Sequence, residues 1–389
     1  TTQAQTLDFT PLLKTLQPDE NKNATHTFVM TVVDKQYQQK EISFSFEIKA
    51  DVKVTTDKAV VWTSFAVLKG TAGNLEGASF IVREQGGSDK QITEVTKNEA
   101  DGTFSALITD LQPGKTYEYQ AVAGEDEGSV ETFTVAQPLD VPNLGFDGWN
   151  ESAGYIRPDG VNSENREYWE SGNQGAKLGS VTLLQSTTDK VSGEAAALLT
   201  SKFAGLFGIG AFSAGSIFSG YVLSAGTSGA TLSYGQLHNG FPTKLNGWYK
   251  YEAGDIDYNG SGKDKGLIYV ALMTSTQIVS SPLSGTPVRF NPKASVVFAY
   301  GELVINETVG EYTDFTIPLT YYKGMMPDTG TPVYIIIMAT SSKDGDVFTG
   351  STSSVMYVDE FSLDYSFNTE CLKKTEYSGL TPISIKDNQ

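Results

Sequence analysis

The chain has 389 residues, of which 11% are aromatic and 19% charged, with 39 glycines and a formal net charge of −18. This length suits two or three domains, and the glycine- and aromatic-rich balance suits all-β sandwiches. No region is basic, which argues against a nucleic-acid or anionic-lipid partner, and the single cysteine, Cys371, excludes an internal disulfide framework and makes a cysteine-based zinc site improbable.

Residues 1–50 carry two predicted strands, His26–Val33 and Glu41–Lys49, around the turn-like DKQYQQK. In ISFSFEI, the apolar Ile42, Phe44, Phe46 and Ile48 alternate with Ser43, Ser45 and Glu47, the two-residue period of a half-buried strand. So few strands do not make a sandwich, so this part reads as a packing extension or as the terminal strands of a larger domain.

Residues 51–137 read as a complete small sandwich. KAVVWTSFAVL supplies a strand with Trp62 as a core aromatic, and ASFIVRE, TFSALITDL, TYEYQAVAG and SVETFTVAQ follow at short, regular spacing. In DLQPGKTYEYQAVA, Leu111 closes a strand, Pro113-Gly114 turns the chain, and Tyr117 stands where a tyrosine corner belongs. The segment resembles an immunoglobulin-like or fibronectin type III domain, which implies a spacer role.

AQPLDVPNLGF is the expected linker. Residues 138–368 then show about nine strand candidates with long connections and no helical periodicity, as in a jelly-roll β-sandwich. From Phe203 to Phe241 no residue is charged. That run is long enough to span a bilayer, but its repeated Gly and Ser argue for buried strands joined by tight turns instead. The tail, residues 369–389, is polar and turn-rich and is expected to be loosely held.

The densest aromatic stretch is SYGQLHNGFPTKLNGWYKY at 233–251. Sugar rings stack on Trp and Tyr faces while Asn, Asp and Lys bond their hydroxyls. Trp149, Trp169, Trp248, Tyr249 and Tyr251 are therefore candidate stacking residues, with Asn173 and Lys250 as polar partners. Alternation in GWYKY puts Trp248 and Lys250 on one face and Tyr249 and Tyr251 on the other, so one pair belongs to a core.

DIDYNGSGKD begins like a calcium loop, with Asp255, Asp257 and Asn259 at alternate positions, but the twelfth position is Gly266. Asp359, in YVDEF, is a further candidate ligand for a structural calcium, joined by Asp147 or Asn150. For hydrolysis, Glu164 and Glu170 in NSENREYWE are the alternative catalytic carboxylates, with Glu167 and Arg166 beside them. Among other chemistries, the two histidines, His26 and His238, and the glycines near 205–210 match no nucleophile or phosphate motif.

Five blocks in order resemble the putative carbohydrate metabolism domain family: NLGFDGWN with YWESGN, AGSIFSGY, GFPTKLNGWYKY, VVFAYGEL, and SSKDGDVFTGSTSSVMYVDEFSLDY. The resemblance covers residues 138–368 and implies a galactose-binding-like jelly roll, so the expected fold is all-β, an immunoglobulin-like sandwich followed by that domain. It further implies that residues 7–50 close a preceding immunoglobulin-like domain. The expected function is binding of a polysaccharide or glycan by a surface, secreted or periplasmic protein. The chain is not expected to cross the membrane, and a lipid anchor upstream of Thr1 is compatible with this reading. A glycoside hydrolase and an adhesive or structural surface protein are the alternatives.

Overall fold

In the computed structural model, residues 24–33, 37–48, 54–206, 209–328 and 330–386 are described. Strands β1 (Ala24–Val33) and β2 (Gln39–Ile48) form an antiparallel hairpin whose register sets Phe28 opposite Phe44, their rings 6.3 Å apart.

Next comes a small sandwich. One sheet holds β3 (Thr55–Val61), β4 (Phe65–Thr71), β8 (Thr103–Thr109) and the short β7 (Thr96–Asn98). The other is ordered β10 (Asp126–Thr134), β9 (Thr116–Ala123), β5 (Ser79–Glu84), β6 (Lys90–Ile92). Alternate residues of β9, Tyr117, Tyr119, Ala121 and Ala123, point into a core shared with Phe80, Phe104 and Ile108. Tyr117 forms the expected corner, its hydroxyl accepting the Gln112 N–H at 3.0 Å across the turn.

The larger sandwich faces a five-stranded sheet against a nine-stranded one. The smaller sheet runs β14 (Leu184–Thr187), β15 (Ala196–Thr200), β28 (Val355–Asp364), β21 (Lys244–Glu252), β25 (Val309–Pro318). The larger sheet runs β23 (Gln277–Pro282), β19 (Gly229–Tyr234), β18 (Ser216–Gly226), β27 (Tyr334–Thr340), β22 (Gly266–Met273), β24 (Val297–Ile305), β26 (Thr320–Tyr321). Two short strands, β13 (Trp169–Ser171) and β20 (Gln236–Leu237), complete it by pairing with β18 and β27.

The sequence YIIIMAT explains why the large sheet is apolar throughout. Ile335, Ile337 and Ala339 face the core between the sheets, while Ile336 and Met338 join Tyr269, Ala271 and Met273 in a second cluster on the opposite side. A strand apolar on both faces reads as a continuous run, and here one face meets the second sheet while the other carries its own apolar cluster. The expected nine strands omit β16 (Lys202–Leu206), β17 (Ile209–Ser213), β19 and β23, each of which has only 5 or 6 residues. The uncharged run from Phe203 is thus a series of strands, and no helix among the described residues is long and apolar enough to cross a membrane.

The two sandwiches share one apolar cluster. Trp62 and Phe65 leave the small core to pack on each other at 4.7 Å, with Trp62 edge-on to Tyr321 at 5.9 Å and to Tyr377 at 6.4 Å. The tail corrects the expectation of a loose end. Cys371 and Leu372 are buried in the large core, and β29 (Pro382–Ser384) runs parallel to β8 in the small sandwich. Apolar anchors in a polar segment, Cys371, Leu372, Tyr377 and Leu380 on the large core and Ile383 and Ile385 on the small one, therefore tie the two sandwiches together.

Candidate functional site

A cleft of about 870 Å³ opens on the outer side of the nine-stranded sheet. Its floor is the second apolar cluster, with Tyr234, Tyr269 and Met338. One wall is the curled extension formed by β18, β19 and β23; another is the β16–β17 hairpin lying on the helical turns of residues 173–179. Glycine permits this close assembly. A Cβ on Gly179 would lie 2.7 Å from the Gly205 backbone N, and Gly229, at φ +117°, turns the chain where a side chain would strike the Ser281 carbonyl.

The charged residues that line this cavity come from residues 289–346. Arg289 donates from Nη2 to Asp344 at 2.9 Å and from Nε to Asp346 Oδ2 at 2.7 Å, so one guanidinium edge holds two carboxylates. Asp346 Oδ1 is buried without a hydrogen-bond partner, and burial raises the Asp346 carboxyl above its ordinary pKa against the pull of Arg289. Its charge reaches the phenols of Tyr234 and Tyr269. Phe290 stacks on Tyr269 at 5.0 Å and lies 6.2 Å from Tyr300, whose hydroxyl donates to Glu302 at 2.7 Å. An apolar floor with a few convergent polar groups is the usual make-up of a small-molecule site.

A family model described as putative carbohydrate metabolism domain matches residues 145–364, which include every lining residue of the cleft. The chain belongs to this family. The solved structures similar to this carbohydrate metabolism domain protein include a putative glycoside hydrolase from Bacteroides thetaiotaomicron, 18% identical, covering 82% of this chain and 97% of that one with a TM-score of 0.47. Another, from Bacteroides vulgatus, is 18% identical and covers 73% of this chain and 97% of that one with a TM-score of 0.41. No curated protein matches.

Within the carbohydrate metabolism domain, the residues expected to bind sugar are scattered. Trp169 is fully buried and donates to the Pro142 carbonyl at 2.8 Å, so it is a core residue. Asn173 is also buried; its side chain bonds the backbone of Ile156, Leu183 and Leu184 and so pins the chain before β14. Tyr251 lies in the core with its hydroxyl on the Ser341 carbonyl, and Tyr249 packs on Phe315 from the same face of β21. Trp149 rests against the core and donates to the Phe146 carbonyl at 2.7 Å. Trp248 and Lys250 take the outward face, as the alternation of GWYKY requires. Lys250 pairs with Asp189 and lies 4.1 Å from the Tyr357 ring centroid. None of these residues lines the cleft.

The side chains expected to hold calcium are engaged with protein partners. Asp255 pairs with Lys263 at 2.9 Å, Asp257 accepts from Thr352, and Asn259 donates to the Phe348 carbonyl at 3.0 Å. Asp359 accepts the Val191 and Glu360 amides at 2.7 and 2.9 Å, and Asp147 accepts from Glu194 and Ala195. Among the described residues no three His, Cys, Asp or Glu side chains group as a metal site.

Glu170 is buried, but its partner is Arg157 at 2.9 Å, with Tyr155 at 3.2 Å. Burial raises the Glu170 carboxyl against the pull of Arg157, and the second arm of Arg157 holds Glu167 at 2.7 Å. Glu164 is exposed and stands outside this ion pair, with its backbone N–H on Asn162. Glu167 and Glu170 thus share Arg157 beside the strand that enters the sheet, and Glu164 lies apart from them.

Sequence reasoning missed Tyr234, Tyr269, Arg289, Phe290, Tyr300, Asp344 and Asp346. A signal existed, since VVFAYGEL contains Tyr300 and Glu302, and SSKDGDVF contains Asp344 and Asp346. Those blocks were read as family markers, with no means of knowing that they meet across the sheet.

Proposed function

We propose that the cleft on the outer side of the nine-stranded sheet binds a glycan. The observation that supports this is the set Tyr269, Phe290 and Tyr300 beside the Arg289–Asp344–Asp346 group, in a cavity built by a carbohydrate metabolism domain. Sugar C–H faces stack on the rings, and the guanidinium and carboxylates bond the hydroxyls. The reading includes a working place where polysaccharide is met, at the cell surface or in the periplasm.

Hydrolysis is the second reading, favoured by Asp346. A carboxyl raised by burial supplies an acid, and Asp344 on the same guanidinium supplies a base. Affinity electrophoresis against xylan, arabinan, pectic galactan and mucin glycans tests binding. Retention abolished by Ala230→Trp, which fills the cleft, and unaffected by Trp248→Ala supports the cleft. The opposite pattern removes it in favour of the outer face of β21. Incubating the retained glycan and assaying reducing ends, with Asp346→Asn as control, tests hydrolysis.

A further inference from the structure

The two stretches of chain that line the cleft differ in chemistry. Its lining residues from 172 to 232 include no charged side chain and are mostly Gly, Ala and Leu, whereas the charged ones, Arg289, Glu302, Lys343 and Asp346, come from 289–346. The uncharged stretch of sequence from Phe203 to Phe241 supplies much of that apolar wall. At the rim, Leu178 is 56% exposed, Leu283 44% and Val288 54%. Large apolar side chains gathered round an open cavity mark an interaction site.

A bare oligosaccharide engages the charged and aromatic residues of such a cavity and leaves its Gly/Ala/Leu wall unused. Hydroxyls driven against Leu178, Ala204 and Leu232 would lose water and find no partner, which opposes binding. The charged and aromatic side suits a sugar; the Gly/Ala/Leu wall suits hydrocarbon. We infer that the cleft takes an amphiphilic glycoside, a sugar headgroup at Arg289 and Asp346 joined to an alkyl, acyl or aryl group against Leu178, Leu183, Ala204 and Leu232. The inference rests on the glycan reading and names the substrate class of the same site.

Titration calorimetry with methyl, hexyl and octyl glycosides of glucose, galactose and arabinose, below their micelle concentrations, tests it. With one of these headgroups, affinity rises about fourfold for each added methylene that enters the wall, the equivalent of about 0.8 kcal/mol. Leu178→Asp, at an exposed position of the wall, abolishes that dependence. Octyl phosphocholine, with the tail and no sugar, binds at least tenfold more weakly than the octyl glycoside. Equal affinity for methyl and octyl glycosides overturns the inference, as does equal binding of octyl phosphocholine. If polysaccharide retention is still blocked by Ala230→Trp while no tail dependence is seen, only this inference falls. If neither glycosides nor polysaccharides bind, the glycan reading falls with it.

Discussion

Arg289 reaches Asp346 through Nε at 2.7 Å, and this bond fastens the loop after β23 to the short turn of residues 345–347 at the charged side of the cleft. The pair is partly open to solvent, with side-chain exposures of 46% and 35%, so its worth lies in position more than in stability.

Replacing Arg289 with Met removes both carboxylate contacts and leaves Asp344 and Asp346 repelling each other. Glycan affinity is expected to fall at least tenfold, with a melting temperature within a few degrees of the parent. Lys at this position keeps the charge but not the two-pronged geometry, so it restores little. Calorimetry on the retained glycan, beside a thermal melt, checks both points.

Trp248 stands outside the cleft, on the outward face of β21. Trp248→Ala is expected to leave glycan retention unchanged, whereas Phe290→Ala, which takes away the ring stacked on Tyr269, weakens it severalfold. Affinity gels run side by side distinguish the two. A loss with Trp248→Ala and none with Phe290→Ala contradicts the cleft assignment.

His238 is buried, with Nε2 facing the Tyr365 hydroxyl at 2.9 Å, and burial holds its pKa down to about 4 from an ordinary 6.5. The folded state thus resists the proton that the unfolded chain accepts. Stability from the neutral imidazole is present above pH 6.5 and is lost as pH falls from 6.5 to about 4. The full loss is roughly 3 kcal/mol. Melting curves between pH 7.5 and 4 should show the decline, and His238→Gln should flatten that part of the curve.

Trp62 is the ring through which the small sandwich grips the large one. Trp62→Ala is expected to cost about 3–5 kcal/mol, because the ring is fully buried and its contacts with Phe65, Tyr321 and Tyr377 are lost. Since that core is continuous, calorimetry of the parent should show one unfolding transition. Two separated transitions in the parent would contradict the shared core.

The strands richest in β-branched and aromatic residues were legible in the sequence, because a two-residue alternation or an apolar run is a local signal. TYEYQAVAG, which forms β9, is an example, as is the turn that sets Tyr117. Sequence also separated Trp248 and Lys250 from Tyr249 and Tyr251, since alternation fixes which residues share a face. It did not show which face meets solvent.

The candidate site was decided by tertiary structure. Its charged side joins Arg289 to Asp344 and Asp346, more than fifty residues away, by the folding of one loop across the sheet. Its apolar wall comes from strands such as Lys202–Leu206 and Gly229–Tyr234, whose glycines and serines give no period to read. Composition and periodicity report what each residue prefers locally. A binding cavity is set by which distant surfaces the packing of two sheets leaves facing each other.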